Sequence, residues 1–214
     1  MILSILWTLL SLAAIACILY FAERGARAKH LHPELTRKFV HVTVGSFIAF
    51  WPFYLSWGII AGLSLLFMAA IALSMRYDIL RSIHSVQRTS KGELLFALAI
   101  GVTALLATNK WVFMASILNL SIGDGMAALI GILKGEGNEY RVFGHTKSRA
   151  GTIAFLITSF VISIIYMIFS GSGFSFVTLL IVPIAAAITE NIAINGTDNL
   201  AIPVVVLLFL INSF

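Results

Sequence analysis

The chain has 214 residues, of which 60% are hydrophobic and only 11% are charged, and its formal net charge is +5. This composition excludes an ordinary soluble globular protein and indicates an integral membrane protein. The sequence contains one cysteine, Cys17, so an intrachain disulfide and a thiolate metal cluster are both excluded. We therefore expect residues 1–214 to form one membrane domain, with no separate soluble domain.

Apolar stretches follow one another along the chain and are separated by short polar loops. A membrane-spanning helix needs ~20 largely apolar residues. The sequence offers about eight such stretches: Ile2–Ala22, Phe39–Leu55, Trp57–Met75, Leu94–Thr108, Trp111–Leu133, Thr152–Ser170, Phe174–Ile194 and Leu200–Asn212. The first lacks a basic leading region and a small-residue cleavage site, which predicts a retained anchor. The predicted fold is all-α, a polytopic membrane bundle of about eight transmembrane helices.

Lysine and arginine residues are concentrated in alternate loops. They follow the first, third and fifth predicted spans, whereas Lys110 alone lies in a loop of opposite parity. The positive-inside rule then predicts that the N-terminus is outside and the basic loops are cytoplasmic. We expect the cell membrane if the source is prokaryotic, and the endoplasmic reticulum or a plastid membrane if it is eukaryotic. The segment Arg76–Arg88 alternates apolar and basic residues, which predicts a helix lying in the membrane interface without a catalytic role.

The most unusual residue is Asp124, a carboxylate within the apolar run Trp111–Leu133. A charge at that depth is costly, so an acid inside a spanning segment is a functional-site hypothesis by default. Ser121, Gly123 and Gly125 lie close to it in sequence, and the two glycines permit close approach of a ligand, a metal or another helix. For the glycines alone, close helix packing is the simpler interpretation. For Asp124 itself, the candidate roles are metal ligand and general base.

A second group of charged residues lies at the start of the second predicted span. Glu34, Arg37, Lys38 and His41 recur at spacings of three and four, so a helix places them on one face. That face could bind phosphate or orient a carboxylate. The alternative is a basic cluster that flanks the membrane, with Glu34 paired within the cluster and His41 satisfied.

The loop Lys134–Gly151 combines glycines, hydroxyl groups and Lys147 directly before a predicted helix. Free N–H groups at a helix N-terminus favour an anion, so Gly144, Lys147 and Ser148 form a candidate phosphate site. The spacing is not that of a Walker A motif. The alternative is an ordinary polar loop with Ser148 near an N-cap.

A fourth group lies between the last two predicted spans, in Thr189–Pro203. Glu190, Asp198 and Asn199 offer the hard oxygen ligands that suit magnesium, which usually takes one or two carboxylates together with substrate phosphates. A capped turn between helices would explain Asp198 and Asn199 equally well. It would not explain Glu190.

These groups form an ordered set of motifs from Glu34 almost to the end of the chain. They read E-x-x-R-K-x-x-H-x-x-x-G at Glu34–Gly45, I-G-D-G-x-A at Ile122–Ala127, G-x-T-K-S-x-x-G at Gly144–Gly151, and E-(x)7-D-N-L-x-x-P at Glu190–Pro203. In this order they resemble the family of CTP-dependent lipid-alcohol kinases that includes dolichol kinase, phytol kinase and the yeast-type diacylglycerol kinase. The sequence is more distantly similar to phosphatidate cytidylyltransferase.

The resemblance implies CTP as phosphoryl donor, Mg²⁺ as metal and a membrane-dissolved alcohol as acceptor: phytol, another prenol, a dolichol-like polyprenol or diacylglycerol. Phosphoryl transfer depends mostly on positioning and electrostatic stabilisation. The catalytic candidates are accordingly Asp124, Lys147 and His41, and the metal candidates are Asp124, Glu190 and Asp198. The nucleotide-binding candidates are Arg37, Lys38, Ser121, Gly123, Gly125, Gly144, Lys147, Ser148 and Asn199.

Three other functions are compatible with parts of the pattern. A cytidylyltransferase would transfer the nucleotidyl group and release pyrophosphate. An ion-coupled transporter could use Asp124 and Glu190 as cation sites, although the sequence places no acid in the predicted outer half of the membrane. A purely structural membrane protein is the third. Expected partners are a nucleoside triphosphate, a lipid alcohol and membrane lipids, not nucleic acid, and the sequence leaves the oligomeric state open.

Overall fold

The computed structural model describes residues 2–27, 33–77 and 92–211. This part of the chain is predominantly helical, which confirms the all-α prediction at the level of fold class. We number its helices in chain order: α1 (Ile2–Arg27), α2 (Pro33–Ala49), α3 (Trp57–Tyr77), α4 (Gly92–Leu106), α5 (Lys110–Lys134), α6 (Arg149–Ser170), α7 (Val177–Ile192) and α8 (Asp198–Ile211).

Each predicted apolar stretch coincides with one of these helices. Among the described residues, α1, α3, α5 and α6 are long and apolar enough to cross a membrane, whereas α4, α7 and α8 are apolar but shorter. The chain is therefore membrane-like, while the number of crossings and their direction stay predictions. The central helix is α5, with 56% of its most apolar window buried in the protein against 11% for α1.

Helix α2 differs from its predicted span. It begins at Pro33 instead of Phe39 and ends at Ala49, before a short 3-10 turn at Trp51–Phe53. Proline suits the first position of a helix, where its missing N–H needs no partner. The hydropathy pattern placed the start too late because the first turns carry charged residues. The predicted phosphate-binding face therefore lies on the same rigid helix as its apolar continuation.

A short β-hairpin between α5 and α6 departs from the all-α prediction. Its strands, β1 (Glu139–Val142) and β2 (His145–Ser148), pair antiparallel. The two turn residues have positive φ angles, +46° at Phe143 and +82° at Gly144, as a two-residue hairpin turn requires. From the sequence, this segment is predicted to be a polar loop, because strands of four residues give only a weak alternation of apolar and polar residues.

Aromatic contacts mark the end of the bundle away from the hairpin. There the rings of Phe53 and Trp111 pack edge to face with their centroids 4.8 Å apart, and Lys110 Nζ lies 4.8 Å from the centroid of the Phe53 ring. Aromatic rings of this kind are typical of a membrane–water interface. We call the other end, where α5 leads into the hairpin, the hairpin end. Residues 78–88, which make up most of the predicted interfacial helix, lie outside the described residues, as does the side chain of Glu34.

Candidate active site

Close packing of α2 against α5 positions the first part of the site. A methyl group at Gly125 would overlap Val42 Cγ2, and one at Gly45 would lie 2.5 Å from Ser121 Cβ. Both helices therefore depend on glycine at the points where they touch, which is the geometry that small residues allow between membrane helices. The close approach sets the charged first turns of α2 beside the middle of α5.

The middle of α5 contains a π-helical turn at Asn119–Gly123, directly before Asp124. Such turns are rare and occur frequently at functional sites. The Leu120 carbonyl of this turn lies 3.2 Å from His41 Nε2, which donates to it. His41 also packs against Phe96, with ring centroids 4.7 Å apart. These contacts fix the His41 ring between α4 and α5.

Asp124 forms an ion pair with Lys38. Lys38 Nζ lies 2.5 Å from Asp124 Oδ2, and the two side chains are 13% and 7% exposed. His41 Nε2 lies 3.6 Å from the same carboxylate oxygen. The neighbouring Arg37 is directed to Glu93 of α4, with 3.8 Å between Nη1 and Oε1. The predicted cationic face of α2 thus neutralises the buried acid of α5. Lys38 and Asp124 belong to different sequence motifs.

A second acid–lysine pair joins the hairpin to α7. Lys147 Nζ on β2 donates to Glu190 Oε1 at 2.5 Å and to the Glu190 carbonyl at 2.9 Å. The Tyr140 hydroxyl on β1 bonds to Thr152 Oγ1 and donates to Asn191 Oδ1. The hairpin is therefore held against α6 and α7 by both of its strands. As in the first pair, a predicted phosphate-binding lysine is joined to a predicted metal-binding acid.

The start of α8 brings the fourth motif to the same region. Asn199 is buried, and its backbone N–H and its Nδ2 both donate to the Gly196 carbonyl at 3.2 Å. Asp198 is close enough to Asp124, Lys38 and Lys147 for their charges to act on it. Within the described part of the chain, Oδ1 of Asp198 and Oδ1 of Asn199 are buried without a hydrogen-bond partner. Two buried oxygen acceptors are thus without a partner among the described residues.

The donor set fits magnesium only in company with a substrate. No three His, Cys, Asp or Glu side chains form a ready-made metal cluster within residues 2–27, 33–77 and 92–211. Magnesium usually keeps several waters and binds one or two carboxylates together with substrate phosphates, so it does not need a cage of protein ligands. The Asp198 Oδ1, which has no hydrogen-bond partner among the described residues and is within electrostatic range of Asp124, fits that pattern. Asp124 and Glu190 each have one carboxylate oxygen bonded to a lysine, and Lys147 is bonded to the Glu190 carbonyl as well.

Several predicted nucleotide-binding residues have structural contacts of their own. Ser121 is fully buried and donates to the Ile117 carbonyl at 2.9 Å. Gly123 faces the Phe155 ring, and Gly125 faces Val42, so helices occupy the space beside both glycines. Gly144 lies at the hairpin turn. For the glycines of α5, the structure thus supports the helix-packing interpretation.

Ser148 is the N-cap of α6. Its Oγ accepts a hydrogen bond from the Gly151 N–H at 3.0 Å, while the Arg149 N–H donates to the Asn138 carbonyl. The N-cap alternative given for Ser148 is therefore confirmed. Two N–H groups of this helix terminus already have partners, so the phosphate prediction for this loop depends on Lys147 more than on the helix N-terminus.

Three further residues of the site, Glu93, Tyr140 and Asn191, are not predicted from the sequence. Glu93 is a single acid at the start of an apolar helix, a signal of the same kind as Asp124 but nearer the helix end, and it pairs with Arg37. Tyr140 and Asn191 dock the hairpin, and no local spacing connects them because they are 51 residues apart.

Comparison with known proteins identifies relatives along nearly the whole chain. A phytol kinase of Synechocystis sp. is 38% identical over 210 residues, which cover 92% of this chain and 88% of that protein. A chloroplastic farnesol kinase of Arabidopsis thaliana is 29% identical, covering 90% and 69%. A probable chloroplastic phytol kinase 2 of Oryza sativa subsp. japonica is 30% identical, covering 89% and 69%.

No protein-family model and no solved structure matches the chain. The relatives nevertheless match most of the length of the chain. A relative at 38% identity that is covered over most of its length establishes common descent. The chain therefore belongs to the family of polyprenol and lipid-alcohol kinases that includes phytol kinase and farnesol kinase.

Proposed function

We propose that residues 1–214 form a single kinase domain that transfers the terminal phosphate of CTP to the hydroxyl group of an isoprenoid alcohol dissolved in the membrane. Relatives named phytol kinase and farnesol kinase support this acceptor class. The observation that carries the proposal is the pairing of residues from four separate motifs at one end of the bundle: Lys38 with Asp124, and Lys147 with Glu190 beside Asp198.

The two ion pairs suggest how the site receives a triphosphate. A buried lysine and a buried carboxylate neutralise each other, because either charge alone in an apolar setting is costly. Phosphate oxygens compete for the ammonium groups of Lys38 and Lys147, since both lysines donate charge-assisted hydrogen bonds. Binding the nucleotide would then exchange the Lys38–Asp124 pair for a phosphate–Lys38 pair, whereas Lys147, whose ammonium group has a third N–H, could contact phosphate and stay bonded to Glu190. The exchange would free the Asp124 carboxylate, whose charge the bound Mg²⁺ would then balance.

In this proposal Asp124 and Asp198 hold Mg²⁺, because Asp198 Oδ1 is buried without a partner and Asp124 is its acidic neighbour. When bound, the metal would neutralise charge on the phosphates. Glu190 then has a different role, because its contacts keep Lys147 at the site. His41, held by Leu120 and lying 3.6 Å from Asp124, is placed to contact the acceptor hydroxyl. Asp124 is the candidate base for the hydroxyl proton.

We further propose that the hairpin end faces the cytoplasm, as the distribution of basic loops predicts. Nucleotide would then enter from the side where it is abundant, and the alcohol would enter from the bilayer. A cysteine placed at the exposed Phe143, in a Cys17→Ser background, tests the orientation. A membrane-impermeant thiol reagent should label it in inside-out vesicles and leave it unlabelled in right-side-out ones. The opposite pattern would reverse the proposed topology.

The activity is tested with purified protein in lipid vesicles, Mg²⁺ and CTP labelled at the terminal phosphate. Label in the extracted phytol or farnesol fraction supports the kinase. Label found only in pyrophosphate indicates nucleotidyl transfer of the cytidylyltransferase kind. ATP, GTP and UTP in parallel assays measure donor preference. Dolichol-like polyprenol and diacylglycerol measure acceptor preference.

A further inference from the structure

A largely apolar cavity runs beside the site and is separate from the two ion pairs. It lies between α1, α2, α3 and α4 and has an empty volume of about 880 Å³, including the space at its opening. Its walls are formed mostly by aliphatic and aromatic side chains: Ile15, Val44, Ile48, Phe67, Ile71 and Ile100. A space of this chemistry suits a hydrocarbon chain and does not suit a nucleotide.

The cavity has one polar end, and that end lies at the proposed reaction centre. His41 and Asn199 both line it, together with the Arg37–Glu93 ion pair. His41 Nε2 is 3.6 Å from Asp124 Oδ2. Asn199 is only 5% exposed, and within the described residues its Oδ1 accepts no hydrogen bond. A hydroxyl group placed here can donate to Asn199 Oδ1, which a plain hydrocarbon cannot do.

The length of the cavity matches one leaflet of a bilayer. Its lining on α2 extends from Arg37 to Ile48, which at ~1.5 Å per residue is roughly 16 Å. Half of the ~30 Å hydrocarbon core of a membrane is similar. Among the lining residues, Ala70 of α3 is exposed, and we infer that the cavity opens beside it.

We propose that this cavity binds the isoprenoid chain of the acceptor alcohol, with the hydroxyl group at the His41 and Asn199 end and the chain entering past Ala70. The proposal rests on the proposed kinase function and adds the location of the acceptor and the groups that orient it. Contacts with α1, α3 and α4 then determine which length of isoprenoid chain is accepted. The nucleotide is bound by the motifs at the hairpin end.

The substitution Ala70→Phe tests the proposal by narrowing the opening. Ala69→Phe is the matched control, because Ala69 is the preceding residue of the same helix, is also exposed and does not line the cavity. We expect Ala70→Phe to lower the ratio of kcat/KM for phytol to kcat/KM for a five-carbon prenol about tenfold, because the Phe ring would occupy space that the longer chain needs. Ala69→Phe should keep the wild-type ratio. Remaining transfer to the short prenol shows that the variant is folded.

A second measurement does not depend on catalysis. A phytol analogue with a diazirine in its chain is irradiated with the protein in vesicles, and the labelled peptides are identified by mass spectrometry. Labels on α3 near Phe67 and on α4 near Ile100, reduced by excess phytol but not by phosphatidylcholine, support the proposal. Reduction by phosphatidylcholine alone would identify the cavity as an ordinary lipid site and overturn it.

The two proposals fail in different ways. If wild-type protein phosphorylates phytol but Ala70→Phe matches Ala69→Phe and the labels lie elsewhere, the kinase stands and the acceptor site is wrong. If wild-type protein phosphorylates no alcohol, the proposed function fails, and the labelling result then decides separately whether the cavity binds the alcohol.

Discussion

The two acid–lysine pairs of the site have similar chemistry but different supports. Lys38 and Asp124 both lie on helices that touch through glycine contacts, and both are nearly inaccessible. Lys147 lies on a four-residue strand, is 21% exposed, and reaches Glu190 from a hairpin that is docked by side-chain hydrogen bonds. The first pair is part of the packed bundle, whereas the second depends on a small element at its end.

The difference suggests a division of labour. A group that must be held close to its productive geometry is best carried by rigid elements with locked neighbours, as Asp124 is by α2 and α5. A group that must admit and release a nucleotide can lie on an element with fewer buried contacts, as Lys147 does. We therefore expect changes at the first pair to lower kcat, and changes at the second pair to raise KM for the nucleotide.

Asp124→Asn should have the largest effect. Loss of the carboxylate removes the proposed metal ligand and base, and we expect kcat to fall at least about 10²- to 10³-fold, the range found when one stabilising group of an active site is removed. It also leaves the buried Lys38 unpaired. Removing one partner of a buried ion pair lowers the free energy of unfolding by about 3–5 kcal/mol. Thermal unfolding in detergent and the labelled-CTP assay measure the two effects.

A double variant separates those effects. Lys38→Met with Asp124→Leu removes both charges, so the protein should recover much of its thermal stability while staying inactive. Recovery of activity along with stability would show that Asp124 is a structural partner only.

Glu190→Gln should have the next largest effect. Without the carboxylate, Lys147 loses its ionic partner at the site, and we expect KM for CTP to rise about tenfold, equivalent to ~1.4 kcal/mol. The matched variant is Asp198→Asn, which should instead raise the Mg²⁺ concentration needed for half-maximal rate. If Glu190→Gln changes the Mg²⁺ requirement and Asp198→Asn does not, the assignment of the metal ligand must be exchanged between these two acids.

Gly125→Ala changes the helix packing that positions Lys38 and Asp124 but leaves both charges in place. The added methyl overlaps Val42 Cγ2, so the Val42 side chain or α2 itself must shift. Overfilling of this kind costs about 1–3 kcal/mol, and kcat should fall severalfold as Lys38 and Asp124 separate. Val42→Ala in the same chain should restore both quantities. Gly62→Ala is the control, because no atom lies within 4 Å of its added methyl group; an equal loss there would contradict the packing explanation.

Much of the fold follows from the sequence because apolar length is a local property. Each hydropathy-based segment became a helix, and Asp124 stood out because a buried charge is costly. The start of α2 was placed too late, since its first turns carry charged residues that a membrane span would normally exclude. The hairpin was missed because two strands of four residues give little periodic signal.

The pairing of the site residues could not be read from the sequence. Lys38 and Asp124 are 86 residues apart, and Lys147 and Glu190 are 43 apart, so no local spacing connects them. The motifs supplied the candidate residues but not the contacts between them. The docking of Tyr140 likewise depends on a contact between residues 51 positions apart.

Tyr140→Phe should produce the smallest effect and tests the support of the second pair alone. The lost hydroxyl removes the bonds to Thr152 and Asn191 but leaves Lys147 and Glu190 intact. A hydrogen bond contributes a net ~1 kcal/mol, so we expect KM for CTP to rise up to about fivefold with kcat unchanged. Tyr20→Phe, which alters only a contact with Arg24 on the exposed face of α1, should leave both constants unchanged. A fall in kcat with KM constant would mean that the hairpin orients the reacting groups themselves, and the division between a rigid reaction centre and a separate nucleotide-binding element would have to be abandoned.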